Sequence, residues 1–470
     1  MATTLEQKPL YDILPVGQEV IFAVTNSAVV SAYTRVKIVA EVYISDIPIV
    51  IATSSPVGTF KTTPNNAGTA IFDLSTIVES YVKADNLAAS GSEYKGTPTS
   101  ATISYPVHLI DAYSTNDNVV RYLKVKFTTE YLDTTATPPV IVTDGTEDIS
   151  DEFTLFNGYL KYTDKLLVNS SFDFGFKTTI FQLNPVAAPG DIAGRYLTNA
   201  PLTQYANKGD YGTISMLTNL TSASAELDKV TFRYYGSSGF ISSETIDRNL
   251  ANGAFDTNSG ETKDQVLHLG CYPANLRNWS SVFGTLIDNE DVTYYTVQLQ
   301  NAAGDALSDA LTINVLCPNA KGFEPIRLTW LNQWGVWDYY TFNMKSIKAI
   351  STKGSTYQQL AGTWNQTSYR VDSYKGGKKA FRVNAMEKIT MNTDFVNEAE
   401  SEWFEEFINS PEAYILDDYQ SDVPSAALNT YVTPVRLTTS SFTKKTIAND
   451  KLMQYTFEVE KSKTLRTQAV

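Results

Sequence analysis

Apolar and polar positions alternate along much of the chain with the period of two that a half-buried strand requires. QEVIFAVT (18–25), RVKIVAEVYIS (35–45), PIVIAT (48–53) and TAIFDL (69–74) each predict a strand, bounded by polar breaks. From Ser75 to Val82 the period changes: Ile77, Val78, Tyr81 and Val82 share one helical face, so a short amphipathic helix is expected. ATISYPVHLIDAYS (101–114) and VVRYLKVKFTTEYL (119–132) predict two long strands joined by the polar turn TNDN. The run LDTTATPPVIVTDGTED (132–148), rich in threonine, proline and carboxylates, predicts a linker.

Beyond it the alternation weakens but stays β-like in FTLFNGYLKYT, ISMLTNL and KVTFRYYGSSGFISSETI, where GSSG (236–239) is a turn. VTYYTVQLQNAAGDALSDALTINVLC predicts a long hairpin turning at Asn301 to Asp305. After Pro318 the pattern sharpens. TSYRVDSYKGGKKAFRVNAM (367–386) predicts two strands around a tight turn at Gly376-Gly377, because glycine accepts the positive φ such a turn needs. In NEAESEWFEEFINSP, Ala399, Trp403, Phe404, Phe407 and Ile408 fall at helical spacing. Asn397 with Glu400 forms a capping pair and Pro411 ends the run, so a helix is expected at about 397–409 with Glu405 and Glu406 on its polar side. Met453, Tyr455, Phe457 and Val459 alternate with Gln454, Thr456, Glu458 and Glu460, a final strand with one wet face.

The expected fold is therefore mainly β and multidomain, with sandwich modules of immunoglobulin or fibronectin kind and one or two short helices in the N- and C-terminal domains. Three domains are expected: an N-terminal β-sandwich (1–134), an acidic β-rich middle domain (135–320), and a C-terminal, mostly antiparallel module (321–470). At 470 residues the length fits this number, and 43% hydrophobic content is ample for well-buried cores.

Charge adds a second division. The first 320 residues hold 19 basic and 34 acidic side chains, while residues 321–470 hold 18 and 17. An acidic field over most of the molecule disfavours nucleic acid and anionic membranes as partners. The N-terminus lacks a basic start followed by an apolar stretch, and no segment reaches the roughly 18 apolar residues of a membrane span, so synthesis in a cytoplasm is expected. Cys271 and Cys317 form no CxxC and read as reduced core residues.

Enzyme signatures are sparse. The only histidines, His108 and His268, each lie in an apolar, strand-like context that suits a satisfied, partly buried ring. No HExxH, GxSxG, Walker loop or GxGxxG occurs. Glu405-Glu406 and Asp417-Asp418 read as solvated carboxylates rather than a glycosidase pair. The acidic loops DGTEDISDE (144–152) and DNED (288–291) carry enough oxygens to attract Ca²⁺, but neither has EF-hand spacing. No catalytic residue, cofactor or metal site is expected.

The densest signal is RLTWLNQWGVWDYYTFNMKS (327–346), which reads as two strands around a turn at Gly335 with Trp334 and Trp337 near its tip. Exposed rings there would suit a protein interface or, alternatively, a glycan platform; buried ones would simply be core. This run resembles the C-terminal part of tail or baseplate proteins of tailed bacteriophages. So do LAGTWN, YKGGKK, ESEWFEEFINSPEAYILDD, TPVRLTTSSFTKK and NDKLMQYTFEVE, which follow it in that family's order over residues 323–465. FKTTPNNAGTAIFDLSTIVESYV is similar, more loosely, to N-terminal β-domains of such proteins. The resemblance implies a structural virion protein of the tail or baseplate, assembling with copies of itself and other tail proteins, and carries no catalytic residues. The alternative is a carbohydrate-binding host-adhesion protein of the particle, with a host surface glycan as partner. The expected interface residues are Trp334 and Trp337, with Lys461, Lys463 and Arg466 of the basic tail KSKTLRTQAV.

Overall fold

The computed structural model describes residues 2–9, 13–88, 106–116, 118–161, 195–217, 227–247, 265–316, 322–363, 366–417, 431–439, 441, 443 and 453–465. The fold is mainly β, in several sheets. The described residues form two compact units. The first draws on residues 1–317 with Leu331–Tyr339, the second on 318–330, 340–418 and 430–470.

The first unit opens with β1 (Thr4–Gln7), β2 (Ile13–Pro15), β3 (Ile21–Thr25), β4 (Thr34–Ser45), β5 (Gly58–Thr62) and β6 (Thr69–Asp73). A short helix, Ser75–Glu79, and β7 (Tyr113–Asn116) precede β8 (Val120–Asp133), β9 (Val140–Ile149) and β10 (Phe153–Phe156). One layer has the order β1-β3-β6; the other has β2-β10-β8-β4-β5, with β9 also on β8. Their inward rows meet in one core that includes Phe22, Phe72, Val42, Val125, Phe127 and Phe153. Phe22 and Phe72 each lie 5.7 Å from Phe127, centroid to centroid.

The same unit continues with β11 (Thr203–Asn207), β12 (Thr213–Leu217), the hairpin β13 (Lys229–Gly236) and β14 (Gly239–Asp247), β15 (Val266–Gly270), β16 (Tyr294–Gln300) and β17 (Leu311–Leu316). These make a five-stranded sheet, β11-β17-β16-β13-β14, and a three-stranded sheet, β12-β15-β7. Two helices that the apolar pattern did not reveal, Pro273–Trp279 and Ser281–Asp288, lie between β15 and β16. They are too short for a clear period. Pro273 opens the first, and a cap defines the second, since the Ser280 hydroxyl accepts the Phe283 N–H at 2.9 Å, and Phe283 packs between Tyr234 and Tyr295.

Several expectations change here. PIVIAT is a turn, because side chains satisfy its backbone: Glu152 accepts the Ile49 N–H at 2.6 Å and Lys124 donates to the Ile49 carbonyl at 3.1 Å. TNDN joins no hairpin, since β7 pairs with β15 and not with β8. The expected linker at 132–148 is largely β9, antiparallel to β8 with Asp133 opposite Val140, and the Thr-Pro run is the loop between them. β10 then pairs with the other end of β8, so the sandwich runs to Phe156 and no division falls at 134/135. Nor is 321–470 one module, because Leu331–Tyr339 belongs to the first unit.

The second unit is built on a seven-stranded sheet. It uses β18 (Ile326–Leu331), β19 (Trp337–Phe342), β20 (Ile347–Gln359), β21 (Gly377–Asn392), β22 (Ala413–Leu416), β23 (Val432–Leu437) and β24 (Thr456–Lys461). Their order is β19-β18-β22-β23-β24-β21-β20. The helix Glu398–Asn409 starts with a full capping box, Asn397 accepting from Glu400 N and Glu400 from Asn397 N, both at 2.9 Å. It lays Trp403, Phe404 and Phe407 against Trp330 and Phe457. Ala399 is exposed; Ser401 takes its place on the inner face, hydrogen-bonded to the Tyr455 hydroxyl at 2.7 Å. Glu406 is buried and not on the polar side.

Candidate functional site

The tryptophan turn closes on itself through Asn332. Its side-chain oxygen accepts the Trp334 and Val336 N–H groups at 2.9 and 3.2 Å, and its amide donates to the Leu197 carbonyl and to Asp338. Gly335 sits at φ +73, where a Cβ would lie 1.9 Å from the Asn157 carbonyl oxygen. The turn is therefore pressed into the first unit. Trp334, 4% exposed, donates to Asn199 at 3.2 Å and shares a cluster with Phe156, Val119, Leu217 and Val266. Trp337, 1% exposed, donates to the Asp85 carbonyl at 2.8 Å and meets the His108 ring edge-on at 4.7 Å. The expectation of exposed rings at a tip is corrected: buried carbonyl and amide oxygens satisfy both indole N–H groups, and neither ring faces a glycan or a partner.

Both histidines are fully buried rather than partly. His108 Nδ1 lies 2.9 Å from the Tyr339 hydroxyl, which is 3.0 Å from Thr213 Oγ1. Burial above all, and then neighbouring His268, pulls the His108 pKa down to about 3. Ser215 Oγ is 2.8 Å from His268 Nδ1, and His268 Nε2 is 3.6 Å from Asp85 Oδ2. This has the order of a nucleophile, base and acid. Yet Ser215 and His268 are a directly opposed pair across β12 and β15, closed to solvent, and a nucleophile needs its substrate at hydrogen-bond range. The cluster is a polar core.

The carboxylates of 144–152 are engaged within the fold, two of them in fastening the N-terminal strand. Asp148 accepts the Leu5 N–H at 2.7 Å, Asp151 pairs with Lys8, and Asp144 accepts from Asn26 and Thr146. In the second loop, Glu290 pairs with Lys208 and Asp288 with Arg277. Among the described residues no group of three or more His, Cys, Asp or Glu is placed to hold a metal ion, and no helix is long and apolar enough to cross a membrane. Cys271 is buried; Cys317, Asp418 and Arg466 lie outside the described residues.

The basic tail is tied to the sheet as far as Leu465. Lys461 closes β24 and pairs with Glu387 at 2.9 Å, Lys463 is exposed, and Leu465 exchanges backbone hydrogen bonds with Ala385 at 2.8 and 2.9 Å.

What the structure exposes instead is a ribbon. β20 pairs with β21 from Ile347–Thr390 out to Gln359–Gly377, and not around Gly376-Gly377 as expected, although both glycines have positive φ. β21 leaves β24 at Lys388, and past the Ala385–Leu465 bridge the two strands run on, unpaired with any other described strand, for roughly 25 Å, at about 3.3 Å per residue. Directly opposed residues share a face. One face carries Lys353 beside Asn384, Arg382 beside Ser355, and Lys379 beside Tyr357. The other continues the buried row of Met391 and Ile389 through Glu387, which lies opposite Ile350 and pairs with Lys461, into Ala385 and Val383. Along that row exposure rises from 0% at Met391 to 45% at Val383, with Ile350 at 65%. At the far end the described residues fold back on themselves: the Tyr369 hydroxyl donates to the Ala361 carbonyl at 2.8 Å and Thr363 N–H to the Arg370 carbonyl at 3.0 Å. Leu360, Tyr369, Val371 and Tyr374 remain exposed there.

No protein-family model matches the chain, and no curated protein does. Among solved structures it is similar to alpha-2-macroglobulin from E. coli at a very low level. The native form gives a TM-score of 0.18 and 8% identity, covering 83% of this chain and 21% of that one. The trypsin-activated form gives 0.17 and 7%, covering 84% and 23%. The chain thus spans between a fifth and a quarter of the length of those proteins, and a likeness this low carries no argument about fold or function.

Proposed function

We propose that this chain is a structural component of a phage virion, of its tail or baseplate, acting through contacts with copies of itself and with other tail proteins. The observation that carries the reading is the ribbon. An isolated two-stranded hairpin is at best marginally stable in water, and this one exposes branched and aromatic side chains along its length and at its end. A long edge strand with unsatisfied backbone groups and an apolar row is ordinarily blunted or covered, and a neighbouring subunit is what covers it in an assembly. The resemblance of residues 323–465 to tail and baseplate proteins supplies the kind of particle. Interior tryptophans and fully buried histidines leave the chain's most conspicuous side chains to stability, as suits a protein whose work is to hold a shape.

Immunogold labelling of purified particles with an antibody to this chain tests the reading. Label at the tail or baseplate, retained through a high-salt wash, is the expected result. Label absent from particles, or release of reducing sugar from host envelope material by the purified chain, would sink it.

A further inference from the structure

We infer that the ribbon formed by β20 and β21 docks head-to-tail on the acidic first unit of a second copy of this chain. The inference rests on the assembly reading above and names the partner and the polarity of the contact.

Charge is the argument. The near-neutral balance of residues 321–470 conceals a segregation. Residues 347–392 hold 8 basic and 2 acidic side chains, whereas the remainder of that region holds 10 and 15. The ribbon is therefore a cationic arm on a protein whose first 320 residues are acidic, holding 19 basic and 34 acidic groups. At its root the cations are matched: Lys348 with Glu324, Lys388 with Glu458, and Lys461 of β24 with Glu387. Farther out Lys375 pairs with Asp372 at 3.4 Å, but the cations of the ribbon's one charged face are not matched. Among the described residues Lys353, Lys379 and Arg382, which share one face, have no carboxylate at salt-bridge distance; Lys379 donates to the Tyr374 carbonyl and Arg382 to Asn384.

Two such ribbons facing each other would bring like charges together, so an isologous contact is disfavoured. An acidic protein surface is the complementary one, and the chain carries it on its own first unit. The opposite face, with Ile350 and Val383 exposed, supplies apolar area that a nucleic acid backbone would leave wet. The cationic face sets encounter and orientation; the apolar row and the exposed rings at the ribbon's end supply the lasting contact.

The test uses the full-length chain. Sedimentation should show wild type growing beyond monomer with concentration at about 50 mM salt and returning toward monomer at about 500 mM, as screening shortens the reach of charge. K353E/K379E/R382E should weaken association at least tenfold with unchanged near-ultraviolet circular dichroism, and K353Q/K379Q/R382Q should fall between. I350S/V383S should weaken it at both salt concentrations. Because the charge-reversed variant keeps an intact first unit, its excess should cap labelled wild type at dimers. Wild type that stays monomeric at both salts, reversal variants that associate like wild type, or an excess that fails to cap would each overturn the proposal. So would ribbon-dependent binding of duplex DNA or of phosphatidylglycerol vesicles by a chain that does not self-associate. If the chain labels in particles while the ribbon variants incorporate at wild-type level, the contact is wrong and the assembly reading stands.

Discussion

Two hairpins from neighbouring stretches of sequence meet opposite fates. The turn between β18 and β19 carries Trp334 and Trp337 and is pressed into the first unit, with the indole N–H of each of these two satisfied. The ribbon of β20 and β21 is threaded with lysine, serine, threonine and glycine, and it is the one that stands in solvent with isoleucine and valine on its face. Aromatic density along a chain marks where buried area is to be had, and a large ring left in water forfeits that gain. Contact surfaces instead combine moderate apolar area with charge, and nothing in a linear pattern distinguishes their exposed row from a core row.

The comparison is broken most sharply by mutation of the first hairpin. Trp337→Ala should destabilise the first unit by roughly 3–5 kcal/mol, since the ring is fully enclosed and its removal also strands the Asp85 carbonyl. Urea denaturation followed by fluorescence reads this directly, and a loss below about 1 kcal/mol would return the ring to the surface.

Acid should reach the same place. His108 is held neutral in the folded state, with a pKa of about 3 against its ordinary 6.5. The unfolded chain takes up a proton that the folded one refuses, so stability is complete above pH 6.5 and is lost as the pH falls toward 3. By pH 4 this amounts to about 3 kcal/mol. The pH-dependent part between 6.5 and 4 should shrink in His108→Gln, whatever that variant's stability at neutral pH; an unchanged slope would mean that the ring is charged when folded.

Smaller effects belong to the second unit. Asn397→Ala removes the capping side chain of the helix that covers Trp330 and Phe457 and should cost about 1 kcal/mol in denaturant midpoint. On the ribbon, Ile350→Ser and Val383→Ser should each change monomer stability by less than about 0.5 kcal/mol, because both side chains are already largely in water. A loss of several kcal/mol from either would show that the row is covered within the monomer, and the two hairpins would then be alike.

Much of the local structure was legible. The rows of β3, β4, β6 and β8, the capped helix at Asn397, and the alternation from Met453 to Val459 follow from spacing, because each buries one side of its own element. PIVIAT failed for a non-local reason, its backbone hydrogen bonds being taken by Glu152 and Lys124 from elsewhere in the chain. The candidate surface was missed because Gly376-Gly377 carries the mark of a tight turn, whereas the strand it opens pairs with residues 347–359. No rule of spacing reports that choice of partner.

By itself, then, the sequence determined that the chain is mainly β, which side of most strands is apolar, and that negative charge gathers before residue 320 while lysine and arginine gather between 347 and 392. These are properties of neighbours along the chain and need no knowledge of what lies across from them. Only the tertiary structure decided that β9 continues the first sandwich, that Trp334 and Trp337 are interior, and that Ile350 and Val383 are not. Burial is set by whichever segment, distant in sequence, arrives to exclude water. The indoles meet Asn199 and Asp85, whereas the ribbon's apolar row extends past the last residue of the helix and sheet that could have covered it.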